Sequence, residues 1–124
     1  MKKVIHTENA PKAIGPYSQA IEANGMLFIS GQIPVNPANG TVPEGITAQT
    51  EQVLKNVEAI LKEAGYGFEN VIKTTCLLSD IANFKAMNEV YAKYYTKDCP
   101  ARAAFAVKDL PMGVLVEIET IAAK

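Results

Sequence analysis

Histidine is almost missing from this sequence: His6 is the only one in 124 residues. Zinc sites need several Cys and His ligands at close spacing, and no such set exists here. A Ser-His-Asp or Cys-His arrangement would depend on His6 alone, which lies in Lys3-Val4-Ile5-His6-Thr7 and reads as a partly exposed strand-end residue. The two cysteines, Cys76 and Cys99, are too few for a disulfide scaffold. Tryptophan is absent and aromatics make up 7%. Twelve basic residues against thirteen acidic give a net charge of −1, with no basic run. Nothing therefore supplies the phosphate attraction that nucleic acid or an anionic membrane requires. No apolar run approaches the ~18 residues of a membrane span, and Met1-Lys2-Lys3 leads into polar residues rather than a signal-peptide core. Neither a Walker loop nor Gly-x-Gly-x-x-Gly occurs. The expectation is a soluble, cytoplasmic protein working without a metal or nucleotide cofactor.

What is present is enough for a core. Hydrophobic residues reach 48% and charged residues 20%, and the length fits one domain spanning residues 1–124 against a prior of about 150 residues per domain. Val4 to His6 reads as a first strand. Tyr17 to Ala23 and Met26 to Ile33 flank Asn24-Gly25, a pair that favours a two-residue hairpin. Pro34 to Gly45 is a Pro-, Asn- and Gly-rich loop. Val53, Leu54, Val57, Ile60, Leu61 and Ala64 recur at steps of three and four, which predicts a helix from about Thr47 to Ala64 stopped by Gly65. Val71 to Leu78 is a strand, and Asn83 to about Tyr95 a second helix with a stripe of Phe84, Met87, Val90, Tyr91 and Tyr94. After Cys99-Pro100, strands run from Ala103 to Val107 and from Val114 to Ala122, separated by a turn at Leu110-Pro111-Met112-Gly113.

The order β-β-β-α-β-α-β-β is α+β: a mixed sheet of about six strands with two helices on one face. The other face must meet solvent or another subunit. In the last strand Glu117 and Glu119 share a face with Leu115 and Ile121, so neither face reads as a fully charged surface. That pattern predicts oligomerisation through the sheet.

A few polar residues stand out from this frame. Arg102 is the sole arginine beside eleven lysines, set in Pro-Ala-Arg-Ala-Ala-Phe-Ala-Val. Its planar fork suits a carboxylate ligand, or else an ion pair with Glu117 or Glu119. Glu117 and Glu119 lie at i and i+2, so repulsion or partial burial would raise one pKa; two plain surface glutamates are the alternative. Asn88 shares a helix face with Phe84 and Tyr91 and needs a partner, from either the backbone or a ligand. Tyr17 follows Gly15-Pro16, placing its hydroxyl in a cleft or its ring in the core. Ser30-Gly31 ends a strand where a missing side chain permits close approach. Cys76 alternates within a strand as a buried small hydrophobe, and nothing beside Cys99 suggests a thiolate.

At these residues the sequence closely resembles the RidA/YjgF family of reactive-intermediate deaminases. The match includes Thr7-Glu8-Asn9-Ala10-Pro11, Ile14-Gly15-Pro16-Tyr17, Ser30-Gly31-Gln32-Ile33-Pro34, Lys73-Thr74-Thr75 and Asn88 with Tyr91. Its most specific part is Pro100-Ala101-Arg102, then Leu110-Pro111 and Val116-Glu117-Ile118-Glu119. The resemblance implies a chorismate-mutase-like fold assembled as a homotrimer, with sites in the clefts between subunits. It implies hydrolysis of 2-imino acids such as 2-iminobutanoate and 2-iminopropanoate, tautomers of enamines released by pyridoxal-phosphate-dependent dehydratases, to 2-oxo acids and ammonia. Arg102 would grip the carboxylate, Glu117 would position water and move protons, and Tyr17 would complete the catalytic set. Ser30, Gly31, Asn88 and Ala104 would line the substrate site with Arg102. Family members often carry Ser-Cys where this chain has Ala103-Ala104, so a contribution at Ala104 would come from the backbone. The resemblance also admits a non-catalytic trimer that senses 2-oxo acids or binds protein partners; nucleic acid is not an expected partner.

Overall fold

A computed structural model describes residues 1–124. Asn24 and Gly25 both take positive φ, 52° and 73°, the conformation a tight two-residue hairpin turn demands. They join β2 (Ala20–Ala23) to β3 (Met26–Gln32), and β1 (Lys3–Ile5) pairs antiparallel on the outer side of β2. The long helix α1 (Ile46–Ala64) buries Val53, Leu54, Val57, Ile60 and Leu61, the residues whose spacing predicts it. β4 (Val71–Leu78), α2 (Phe84–Tyr94) and β5 (Ala101–Ala106) form a crossover unit in which β4 and β5 run parallel. β6 (Val116–Ala123) inserts between β3 and β4, antiparallel to both. The sheet order is β1-β2-β3-β6-β4-β5.

One sheet face carries Leu27 and Ile29, Cys76 and Leu78, and Val116 and Ile118, all buried against the helices. Alternation sends Phe28, Glu117, Glu119 and Ile121 to the opposite face, which no helix covers. Phe28, Ile72 and Phe105 remain close to half exposed. The six-stranded sheet with two helices agrees with the sequence-based expectation.

The boundaries differ in places with physical causes. The second strand starts at Ala20 rather than Tyr17, because the Gln19 side chain holds the preceding segment: it accepts from Thr7 N–H and donates to the carbonyls of Thr7, Ala10 and Pro11. The fifth strand starts at Ala101, paired with Lys73, so Arg102 lies inside the strand and not before it. The last strand starts at Val116 because the Leu115 N–H donates to Gln49 Oε1 rather than to a strand neighbour. The first strand ends at Ile5, leaving His6 exposed beside Glu8.

Candidate active site

The residues singled out by the sequence collect in two places. The first surrounds Arg102 on the edge strand β5. Phe84, Asn88 and Tyr91 lie four and then three residues apart on α2, so all three face one side of that helix. Arg102 Nη1 donates to Asn88 Oδ1 at 2.7 Å. Its Cζ lies 4.8 Å from the Tyr91 ring centre and 5.5 Å from that of Phe84. Asn88 is thus partnered by the arginine, and the guanidinium remains exposed with its other donors free of protein partners. Ala104 follows on the same face of β5, opposite Cys76 in register. Burial pushes the Cys76 thiol up to about 11, against a smaller opposing effect of Arg102, so it is a neutral buried group rather than a nucleophile.

The second place is on the uncovered face, where Glu117 lies beside Gly31. A Cβ at Gly31 would overlap Glu117 Oε2 and come within 2.9 Å of its Cδ, so only glycine admits the carboxylate here. Burial, and then the charge of Glu119, hold the Glu117 carboxyl above its ordinary value. Gly31 also forms part of the wall of a cleft of about 500 Å³, with Tyr17, Ile14, Ile33 and Met112 around it. The Tyr17 hydroxyl accepts from Ile14 N–H at 3.3 Å, which leaves its own proton available to a ligand. Ser30 has its hydroxyl committed: it donates to the Ser18 carbonyl at 2.6 Å and so holds the segment leading out of Tyr17.

The two places do not meet within the chain. Arg102 is opposite Thr74, and Glu117 is opposite Leu77, with β4 lying between β5 and β6. Two strand spacings across the sheet and three residues along it, about 14 Å in all, separate the backbones, and the two side chains project from opposite faces. The ion pair of Arg102 with Glu117 or Glu119 that the sequence left open does not form; Asn88 takes that position. The sequence points to Ile14 and Tyr91 as members of matching motifs and to Phe84 and Tyr91 as parts of a helix stripe, and it gives none of these three, nor Met112, a place in a site. The 84-88-91 spacing was the signal for Phe84 and Tyr91. Met112 gave none, since its place depends on a turn in which it adopts φ 58°. Nowhere do three His, Cys, Asp or Glu side chains converge as metal ligands would, and no helix is long and apolar enough to cross a membrane.

Comparison with known proteins adds a family to this geometry. The family model described as endoribonuclease L-PSP matches residues 7–124. The chain is 57% identical over 125 aligned positions to a RutC family protein of Pyrococcus horikoshii, covering 100% of this chain and 99% of that protein. It is 50% identical over 123 positions to a mouse protein named 2-iminobutanoate/2-iminopropanoate deaminase, covering 98% and 91%. The crystal structure of E. coli TdcF with bound serine is similar with a TM-score of 0.95 at 40% identity, covering 98% of each chain.

Proposed function

This chain belongs to the RidA/YjgF family, the family described as endoribonuclease L-PSP, and from that membership we propose that it hydrolyses 2-imino acids to 2-oxo acids and ammonia in sites shared between subunits of a homotrimer. The observation that carries the reading is the separation of Arg102 from Glu117. An exposed, braced guanidinium on an edge strand and a carboxyl group held above its ordinary value on an uncovered sheet face are two halves of one site. A neighbouring chain brings the halves together.

In this reading the free donors of Arg102 take the substrate carboxylate, with Asn88 fixing the plane of the fork. The imine carbon then faces Glu117 of the adjacent subunit. As a water oxygen adds to that carbon, the Glu117 carboxylate accepts the water proton. Glu117 returns this proton to the nitrogen, giving a carbinolamine. It then takes the carbinol O–H proton and passes it to the same nitrogen, so the C–N bond breaks, ammonia leaves and the C–O bond becomes a carbonyl. A carboxyl held above its ordinary value suits a group that must both accept and return a proton. Tyr17 supplies a hydrogen bond from its free O–H, and Gly31 leaves room for the Glu117 carboxylate. Ala104 contributes through its backbone, and no step uses a thiol.

The test generates 2-iminobutanoate with a threonine dehydratase in the presence of semicarbazide, which traps the imine. The expected result is diversion of the imine to 2-oxobutanoate and ammonia by this protein, lost in Arg102→Ala. No diversion by a folded, assembled protein would overturn the reading; retained 2-oxobutanoate binding would then mark a ligand-binding protein instead.

A further inference from the structure

A buried hydrogen bond lies behind Arg102. Tyr91 Oη and Thr74 Oγ1 are 2.7 Å apart; Thr74 is wholly buried and Tyr91 only 7% exposed. Thr74 is also the residue opposite Arg102 in the β4–β5 pairing. Three residues on three elements therefore close a triangle. Backbone pairing fixes Thr74 against Arg102, the hydroxyl pair fixes the tip of the Tyr91 ring to Thr74, and the ring supports the guanidinium at 4.8 Å. The Tyr95 ring packs on Tyr91 with centres 4.5 Å apart and restrains it further.

The choice of residue types is informative. A phenylalanine at 91 would fill the same space and offer the same aromatic face to a cation. A valine at 74 would suit a buried strand better than a threonine. A buried polar pair can be exchanged for apolar groups of the same shape with little change in stability, so the fold alone does not call for this one. What the pair adds is a fixed ring position, and the ring is what the sole arginine rests on.

We propose that Tyr91 is a positioning residue for the carboxylate site, its bond to Thr74 locking the ring so that the Arg102 fork is held in one orientation before the ligand arrives. The inference rests on the deaminase reading, in which Arg102 takes the substrate carboxylate. A long arginine side chain loses considerable rotamer freedom when a ligand immobilises it, and prior restraint removes that cost from binding.

The experiment compares Tyr91→Phe, Thr74→Val and the double variant with the parent protein and with Arg102→Ala. Each is titrated with 2-oxobutanoate and with its uncharged amide, thermal unfolding is followed, and kcat and KM are separated in the coupled assay. The expected result is binding of 2-oxobutanoate weakened about three- to tenfold in both single variants, equal to the loss of one hydrogen bond. The amide is unaffected, and the loss falls on KM. The single variants melt lower because each leaves a buried hydroxyl unpaired. The double variant recovers its melting temperature but not its affinity, since the pair acts as a unit. Recovery of both together, or equal weakening of acid and amide, would show a packing role and overturn the inference. Arg102→Ala separates the two levels. If it leaves 2-oxobutanoate binding intact, the carboxylate site itself is wrong, and the inference falls with it. If it weakens binding while the Tyr91 and Thr74 variants do not, the positioning inference alone fails.

Discussion

A guanidinium and an ammonium carry the same charge but not the same geometry. Arg102 gives one donor to Asn88 and keeps the rest of its fork for a ligand; lysine, a single point of charge, cannot do both at fixed orientation. Arg102→Lys is expected to lower kcat/KM about 10- to 100-fold, the range of a lost charge-assisted hydrogen bond, with Arg102→Ala worse. Glu117→Gln is expected to lower kcat about 10²- to 10⁴-fold, the usual scale for a general acid-base group, while 2-oxobutanoate still binds. Gly31→Ala supplies a steric version of the same test. The new methyl meets the far end of a flexible side chain, so Glu117 swings aside at modest cost to folding and the proton transfers fail. Circular dichroism should show a folded protein with activity near that of Glu117→Gln. The raised Glu117 pKa also has a consequence for stability. It favours the folded chain with Glu117 protonated, a contribution fully present below the ordinary value of 4.5 and lost as pH rises through the raised value. Permanently neutral Glu117→Gln should therefore melt higher than the parent protein at pH 7, with the difference shrinking toward pH 4.

At the scale of elements, α1 does more than bury its apolar stripe. Asn56, almost wholly buried, donates from Nδ2 to the carbonyls of Ile33 and Val35 at 3.1 and 3.0 Å. Gln49 donates to the Pro43 carbonyl at 3.0 Å and accepts from Leu115 N–H at 2.8 Å. The helix thereby anchors the Ile33–Val35 side of the cleft and the turn that presents Met112. Asn56→Ala removes two part-buried hydrogen bonds to the carbonyls of Ile33 and Val35 and is expected to cost about 1–3 kcal/mol in denaturant unfolding. Leu54→Ala should cost about 2–5 kcal/mol by opening a cavity. The two variants also mark what a sequence discloses. Leu54 was legible because apolar residues at helical spacing announce a buried stripe. Asn56 and Gln49 were not, since periodicity says nothing about a polar side chain whose partners lie on loops distant in the chain. The same reason explains Gln19, whose four hydrogen bonds to the segment before it displaced the expected strand start. Arg102, Glu117 and Gly31 stood out by type and position, but their distribution over two sheet faces depended on the strand order β6-β4-β5, which local pattern does not specify.

At the scale of the whole molecule, both helices lie on one sheet face and leave the other with Phe28, Ile72 and Phe105 in the open. In the proposed assembly a second chain covers that face, and its edge strand carries Arg102 to the cleft that contains Tyr17 and Gly31. A contact between two different surfaces of identical chains forms a ring when its rotation closes, and a trimer is the ring we expect; light scattering should give three times the 13.4 kDa chain mass. The division of the site makes the most direct test a mixing experiment. Arg102→Ala and Glu117→Gln, each inactive alone, are unfolded together in equal amounts and refolded. If every site takes Arg102 from one chain and Glu117 from its neighbour, random reassembly regenerates intact sites at one in four contacts. The account predicts recovery of about a quarter of the parent deaminase activity. Mixed oligomers that form and remain inactive would contradict it.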